Sequence, residues 1–156
     1  MTWLVIRVRS NIGVERSIRE TMSYLNLTRV NHAVLVPEND TYAGMLQKAK
    51  DYVTWGKVGE DTITTLISER GRLMGNKPIT DAVVKSETDF KSIKAFAAAI
   101  ASGESNTKAI SDMKPVFRLH PPRGAKGWGG IKRHFTVGGA LGFRGEAITE
   151  LAERMI

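Results

Sequence analysis

Residues 113–145 hold the side chains best equipped for chemistry. Seven are cationic (Lys114, Arg118, Arg123, Lys126, Lys132, Arg133 and Arg144), two are histidines (His120 and His134), and none is a carboxylate. Trp128, Phe135 and Phe143 stand among them, with eight of the chain's 15 glycines. Guanidinium and ammonium groups neutralise phosphate, planar side chains stack on bases, and glycine lets a backbone come close to a ligand. The whole chain carries 23 Lys and Arg against 16 Asp and Glu, a formal charge of +7. Outside residues 113–145 the two signs balance, so the excess charge sits in about a fifth of the 156 residues. That concentration predicts an anionic partner, nucleic acid before an acidic membrane surface.

The same residues exclude other chemistries. Neither histidine has an acidic neighbour inside the stretch, so a catalytic triad would need a partner from elsewhere. Gly130-Ile131-Lys132 runs into Arg133, and the chain holds no Gly-x-x-x-x-Gly-Lys-Ser/Thr pattern. A dinucleotide loop needs a strand before it and a helix after it, which residues 128–142 do not offer. Cysteine is absent, which removes disulfides, zinc knuckles and thiol nucleophiles. The chain therefore reads as no enzyme, with no cofactor and no metal. A membrane-surface helix sets lysines opposite a large apolar face, whereas these charges lie in glycine- and proline-rich segments. No apolar run approaches the roughly 20 residues of a membrane span. The opening MTWLVIRVRS has no small-residue cleavage site and reads as a strand rather than a leader. The composition fits a reducing cytoplasm.

Within the basic stretch, Arg118, Arg123, Lys126, Lys132 and Arg133 are expected at backbone phosphates, with His120, His134 and Arg144 beside them. Main-chain amides of Gly124, Gly127, Gly129, Gly130, Gly138 and Gly139 are expected to approach the RNA. Trp128 and Phe135 either stack on an unpaired base or pack on the protein itself. Arg7 and Arg9 alternate with Ile6 and Val8, which puts them on the opposite face or the rim of a strand, solvated or touching RNA.

These residues need a scaffold. Residues 3–8 read as a strand, and 14–25 as a helix with Val14, Ile18, Met22 and Leu25 at helical spacing. A second strand over 32–36 stops at Pro37. Asp40 or Thr41 starts a helix whose face is Tyr42, Met45, Leu46, Ala49 and Val53. A weaker strand covers 54–58. This βαβαβ order suits a small two-layer domain, and helical crossovers by themselves favour parallel neighbours. Residues 59–112 read as a helical extension serving architecture: a helix over 59–70, a helical turn from Thr80-Asp81, and a helix capped by Thr88 or Asp89 and ended by Gly103. Residues 113–156 add a short strand over 116–119, glycine-rich runs at 123–130 and 137–145, and a closing helix. The stripe Ile148, Leu151, Ala152 and Met155 should dock that helix on the core and pin both ends of the basic stretch. The segments 1–58, 59–112 and 113–156 are expected to form one compact unit.

Three runs in the basic segment are Arg118-Leu119-His120-Pro121-Pro122-Arg123-Gly124, Gly130-Ile131-Lys132 and Gly138-Gly139-Ala140-Leu141-Gly142. Nearer the front are Val30-Asn31-His32, Leu35-Val36-Pro37-Glu38, Tyr42-Ala43-Gly44-Met45 and Trp55-Gly56. In order and over the full length, these resemble the long, archaeal and eukaryotic-type form of large-subunit ribosomal protein number thirty. Ala125 departs from that pattern, since many members carry a second glycine there. The resemblance implies an α+β fold: a βαβαβ core with an antiparallel three-stranded sheet, order 3-1-2, followed by the helical and glycine-rich basic extension. It also implies a non-catalytic constituent of the large ribosomal subunit in the cytoplasm. Its partners would be ribosomal RNA and neighbouring large-subunit proteins, with no membrane and no small-molecule substrate. The residues alone point to RNA without separating a ribosomal protein from another basic RNA-binding protein or an RNA chaperone.

Overall fold

Strand β1 (Thr2–Arg7) is apolar at consecutive positions because both of its faces are covered. Leu4 and Ile6 enter one core cluster, while Trp3 and Val5 pack in another. A strand buried on both sides loses the in–out alternation of a half-exposed one. The structure is a computed structural model that describes residues 2–124 and 127–156, so Lys126 lies outside the described residues.

Strands β2 (His32–Pro37) and β3 (Val53–Lys57) flank β1, both antiparallel, with Val5 opposite Val34 on one side and Trp55 on the other. The order 3-1-2 with β1 central follows the family resemblance and overrides the parallel preference of helical crossovers. The connection through helix α1 (Arg16–Tyr24) leaves and re-enters the sheet at one end, where Asn31 N donates to Arg7 O at 3.0 Å. Helix α2 (Asp40–Lys48) is capped by Asn39, whose side chain accepts from Tyr42 N at 2.9 Å. The cap is thus one residue earlier than expected, and Val53 belongs to β3 rather than to the helix. Met22, Leu25, Leu46 and Ala49, from α1 and α2 and the turns that close them, cover the Val5 face.

The Leu4–Ile6 face is covered by α3 (Glu60–Arg70), α4 (Asp81–Glu87), α5 (Ile93–Ser102) and α6 (Ile148–Met155). Ser92 caps α5 by accepting from Ala95 N at 3.2 Å, so Thr88 and Asp89 precede that helix. Gly103 ends it in the left-handed region, with φ 88°. All four residues of the α6 stripe are buried. Helices on both faces make three layers where the βαβαβ pattern suggested two.

The expected three-stranded sheet is also corrected. Strands β4 (Phe117–Arg118), β5 (Gly130–His134) and β6 (Gly139–Phe143) extend it to six, in the order β4-β2-β1-β3-β6-β5. β4 pairs antiparallel with β2, and β6 pairs parallel with both β3 and β5. Glycine weakens a strand and removes the side-chain alternation that announces one. The glycine runs therefore read as loops in the sequence although they hold two strands.

Candidate nucleic-acid interface

The sheet order separates what the sequence joins. Arg118 lies on β4 at one edge, and Lys132 and Arg133 lie on β5 at the other. Five strand spacings of about 4.8 Å put those edges roughly 24 Å apart along the sheet. Residues 113–145 thus form two basic surfaces rather than one.

At the β5 edge, Lys132 and Arg133 are exposed. β5 leans on β6, whose Ala140 and Leu141 are buried against Val8. Gly139 is needed for that approach, because a Cβ there would overlap the carbonyl of Arg133. Its missing side chain serves strand packing. Gly138 closes the turn between the two strands at φ 87°, in open space. His134 finds the acidic partner that its own stretch lacks: Nε2 lies 3.1 Å from Asp51 Oδ1, which ties β5 to the turn before β3.

Three expected contacts turn inward here. The Arg144 guanidinium donates from Nε to Thr54 Oγ1 and from an Nη to Ala140 O, both at 2.8 Å, and lies 4.9 Å from the Phe135 ring centre. Burial, then the neighbouring Arg154, lowers its pKa to about 10, with Glu150 opposing. Arg144 is a brace between β3, β6 and the turn at Phe135. Trp128 packs, partly buried, against two core clusters. Arg7 is 1% exposed and donates to Leu27 O at 2.7 Å, to Arg9 O at 2.8 Å and to Asn11 Oδ1. Strand parity places it away from Ile6 as expected, but α1 and its loops cover that face, so its side chain is neither solvated nor at the rim. Arg9 is half-buried, 5.2 Å from the Tyr52 ring centre.

At the β4 edge, Arg118 is exposed and pairs in register with His32. Burial first, and then the positive Arg118, Arg29 and Arg7, hold the His32 imidazole below its usual range. His120 and Arg123 are exposed on the run that follows. That run is fastened to the end of α6: His120 N donates to Met155 O at 2.9 Å and Arg123 N to Arg154 O at 3.1 Å. Arg154 returns the contact from its side chain, Nε to Arg123 O at 2.7 Å and an Nη to Gly127 O at 2.6 Å. Sequence reasoning missed Arg154, although a basic residue in the last helical turn beside a glycine loop was a usable signal. Gly127 is held by Arg154, while Gly129 and Gly130 lead into β5.

The family model described as Ribosomal protein L30p/L7e matches residues 3–53. That covers β1 to the start of β3. A Methanosphaera stadtmanae protein, named large ribosomal subunit protein uL30, is 53% identical over 154 residues and 99% of both chains. The chain belongs to the uL30 family. Proteins of the same name from Methanopyrus kandleri and Methanococcus vannielii are 50% and 46% identical, spanning 96% and 100% of this chain. These matches extend through the β5–β6 ribbon and α6, beyond the family-model match, so membership covers both basic edges. Among the described residues, no helix is long and apolar enough to cross a membrane, and no group of three or more His, Asp or Glu could hold a metal.

Proposed function

We propose that this uL30-family chain is a structural, non-catalytic constituent of the large ribosomal subunit in the cytoplasm, binding ribosomal RNA and abutting neighbouring large-subunit proteins. The carrying observation is the placement of exposed cations at the two edges of one sheet: Arg118, with His120 and Arg123 just beyond it, at the first, and Lys132 and Arg133 at the second. A sheet whose central strand β1 is buried on both faces holds those edges at fixed separation, so binding at both fixes two RNA segments relative to each other. Phosphate contacts give affinity and orientation without reading bases, which suits a role in stabilising an RNA fold. Lys126 belongs to the same reading by its position in the sequence. The names of the full-length relatives supply the assembly; the residues supply the type of partner.

Affinity for large-subunit ribosomal RNA, measured against salt, tests this. Four exposed permanent cations predict a slope of log affinity on log salt of about −3, at roughly 0.7–0.9 per phosphate. The protein should also co-sediment with large subunits and leave only at high salt. A flat salt dependence, or sedimentation apart from large subunits, would sink the reading.

A further inference from the structure

The middle segment was expected to serve architecture alone, yet it supplies half of a basic cleft. Arg70, at the end of α3, and Arg72 line a cavity of about 210 Å³ with Asn76, Lys114, Val116 and Arg118. The backbone fixes this juxtaposition. Lys114 N donates to Arg72 O and Met74 N to Asp112 O, both at 2.9 Å, and Leu73 bridges Met113. Residues 72–74 and 112–114 are therefore laced together, which sets Arg72 beside Lys114. Four cationic side chains line the cleft and no carboxylate does. None of the four takes part in an ion pair between side chains among the described residues.

Their present partners are weak competitors for an anion. Arg72 donates to the adjacent Gly71 O at 2.8 Å, and Lys114 Nζ to Asn76 Oδ1 at 2.7 Å. Arg70 donates from an Nη to Ile156 O at 3.1 Å, while its Nε is buried without an acceptor. Like charges held together by the backbone repel one another, and an anion seated among them relieves that repulsion.

We propose that Arg70, Arg72, Lys114 and Arg118 form a phosphate-binding cleft for the RNA backbone, built jointly by the end of α3 and the strand entering the basic segment. The proposal rests on the RNA-binding reading above. It makes the β4 edge a recessed clamp on an RNA phosphate, whereas Lys132 and Arg133 stand exposed on the β5 edge.

The test compares two charge-removing pairs in the full chain. Occupied cleft cations steepen the wild-type salt slope beyond about −3, and Arg72→Gln with Lys114→Gln should keep the wild-type melting temperature and lower the magnitude of that slope for large-subunit ribosomal RNA by about 1.4–1.8. Lys132→Gln with Arg133→Gln should do the same at the other edge, and all four together should lose both increments. If the cleft pair leaves slope and affinity unchanged while the ribbon pair does not, the cleft is overturned and RNA binding stands. If wild type itself binds without salt dependence, the RNA-binding reading falls, and the cleft with it.

A second measurement does not depend on removing cleft residues. The chain has no cysteine, so Lys77→Cys beside the cleft and Thr136→Cys beside the ribbon each accept a single tethered iron chelate that cleaves nearby RNA. The two sites should cut two separate RNA segments. Cleavage from position 136 with none from position 77 would overturn the cleft.

Discussion

Arg7 and Arg144 carry full charges but satisfy them inside the protein, and that sets what their removal does. The three Arg7 contacts reach both connections of α1, at Arg9 and Asn11 on one side and Leu27 on the other. They hold the chain where it leaves and re-enters the sheet. Hydrogen bonds to a charged group are each worth about 1.5–3 kcal/mol, so Arg7→Ala should cost about 3 kcal/mol in denaturant unfolding. Arg7→Lys should recover little, because an ammonium cannot span the three acceptors as a planar guanidinium does. The salt slope for RNA should not move; a slope smaller by one phosphate with stability intact would return Arg7 to the interface. His32 gives a pH prediction. Its folded pKa lies below the ordinary value of about 6.5, so the unfolded chain takes the proton first as pH falls. Its contribution is complete above about pH 6.5 and is lost as pH falls toward the lower folded value. His32→Gln should flatten that part of the stability–pH curve, and an unchanged curve would refute the assignment.

At the scale of elements, α6 does two jobs that its apolar stripe announces only in part. Ile148, Leu151, Ala152 and Met155 dock it on the core, a role legible from their spacing. The other job belongs to Arg154, which holds the carbonyls of Arg123 and Gly127 and so ties the run from the β4 edge to the run that enters β5. Arg154→Met keeps the aliphatic stem and removes both charge-assisted bonds. Amide exchange over 127–130 should then quicken while β1 and α6 stay protected; unchanged exchange would show that residues 127–130 do not depend on Arg154. The β-strands mark the limit of sequence reading. β1 and β2 were legible because Val, Ile and Leu runs meet clear stops, and β3, with no such run, only as a weaker strand. β5 and β6 were not, because Gly130, Gly139 and Gly142 contribute no side chain to a period. The backbone clash that demands Gly139 exists only once β5 lies beside β6. The cleft was hidden for a related reason: Arg72 and Lys114 stand far apart in the chain and meet through a two-stranded lacing without a sequence signature.

At the scale of the molecule, the largest buried cluster draws residues from all three expected segments. It joins Leu4, Ile6 and Ala33 to Ile63, Leu66, Phe96 and Ile100, and to Phe117, Ile148, Leu151 and Met155. No boundary near residue 58 or 112 can open without exposing apolar surface from all three, at about 25 cal/mol per Å². The chain should therefore unfold in one step, and its tryptophans can check this. Trp3 and Trp55 belong to the cluster beneath α1 and α2, whereas Trp128 packs against the opposite cluster and the β6 contact. Urea unfolding followed by far-ultraviolet circular dichroism, by wild-type fluorescence and by a Trp128→Phe variant should give one midpoint. Ending the chain after residue 112 should abolish the cooperative transition, since it strips β4, β6 and α6 from the sheet and the core. A separate early transition carried by Trp128 alone would mean that the extension docks on an independently stable core. The two basic edges would then lose the fixed separation on which bridging two RNA segments depends.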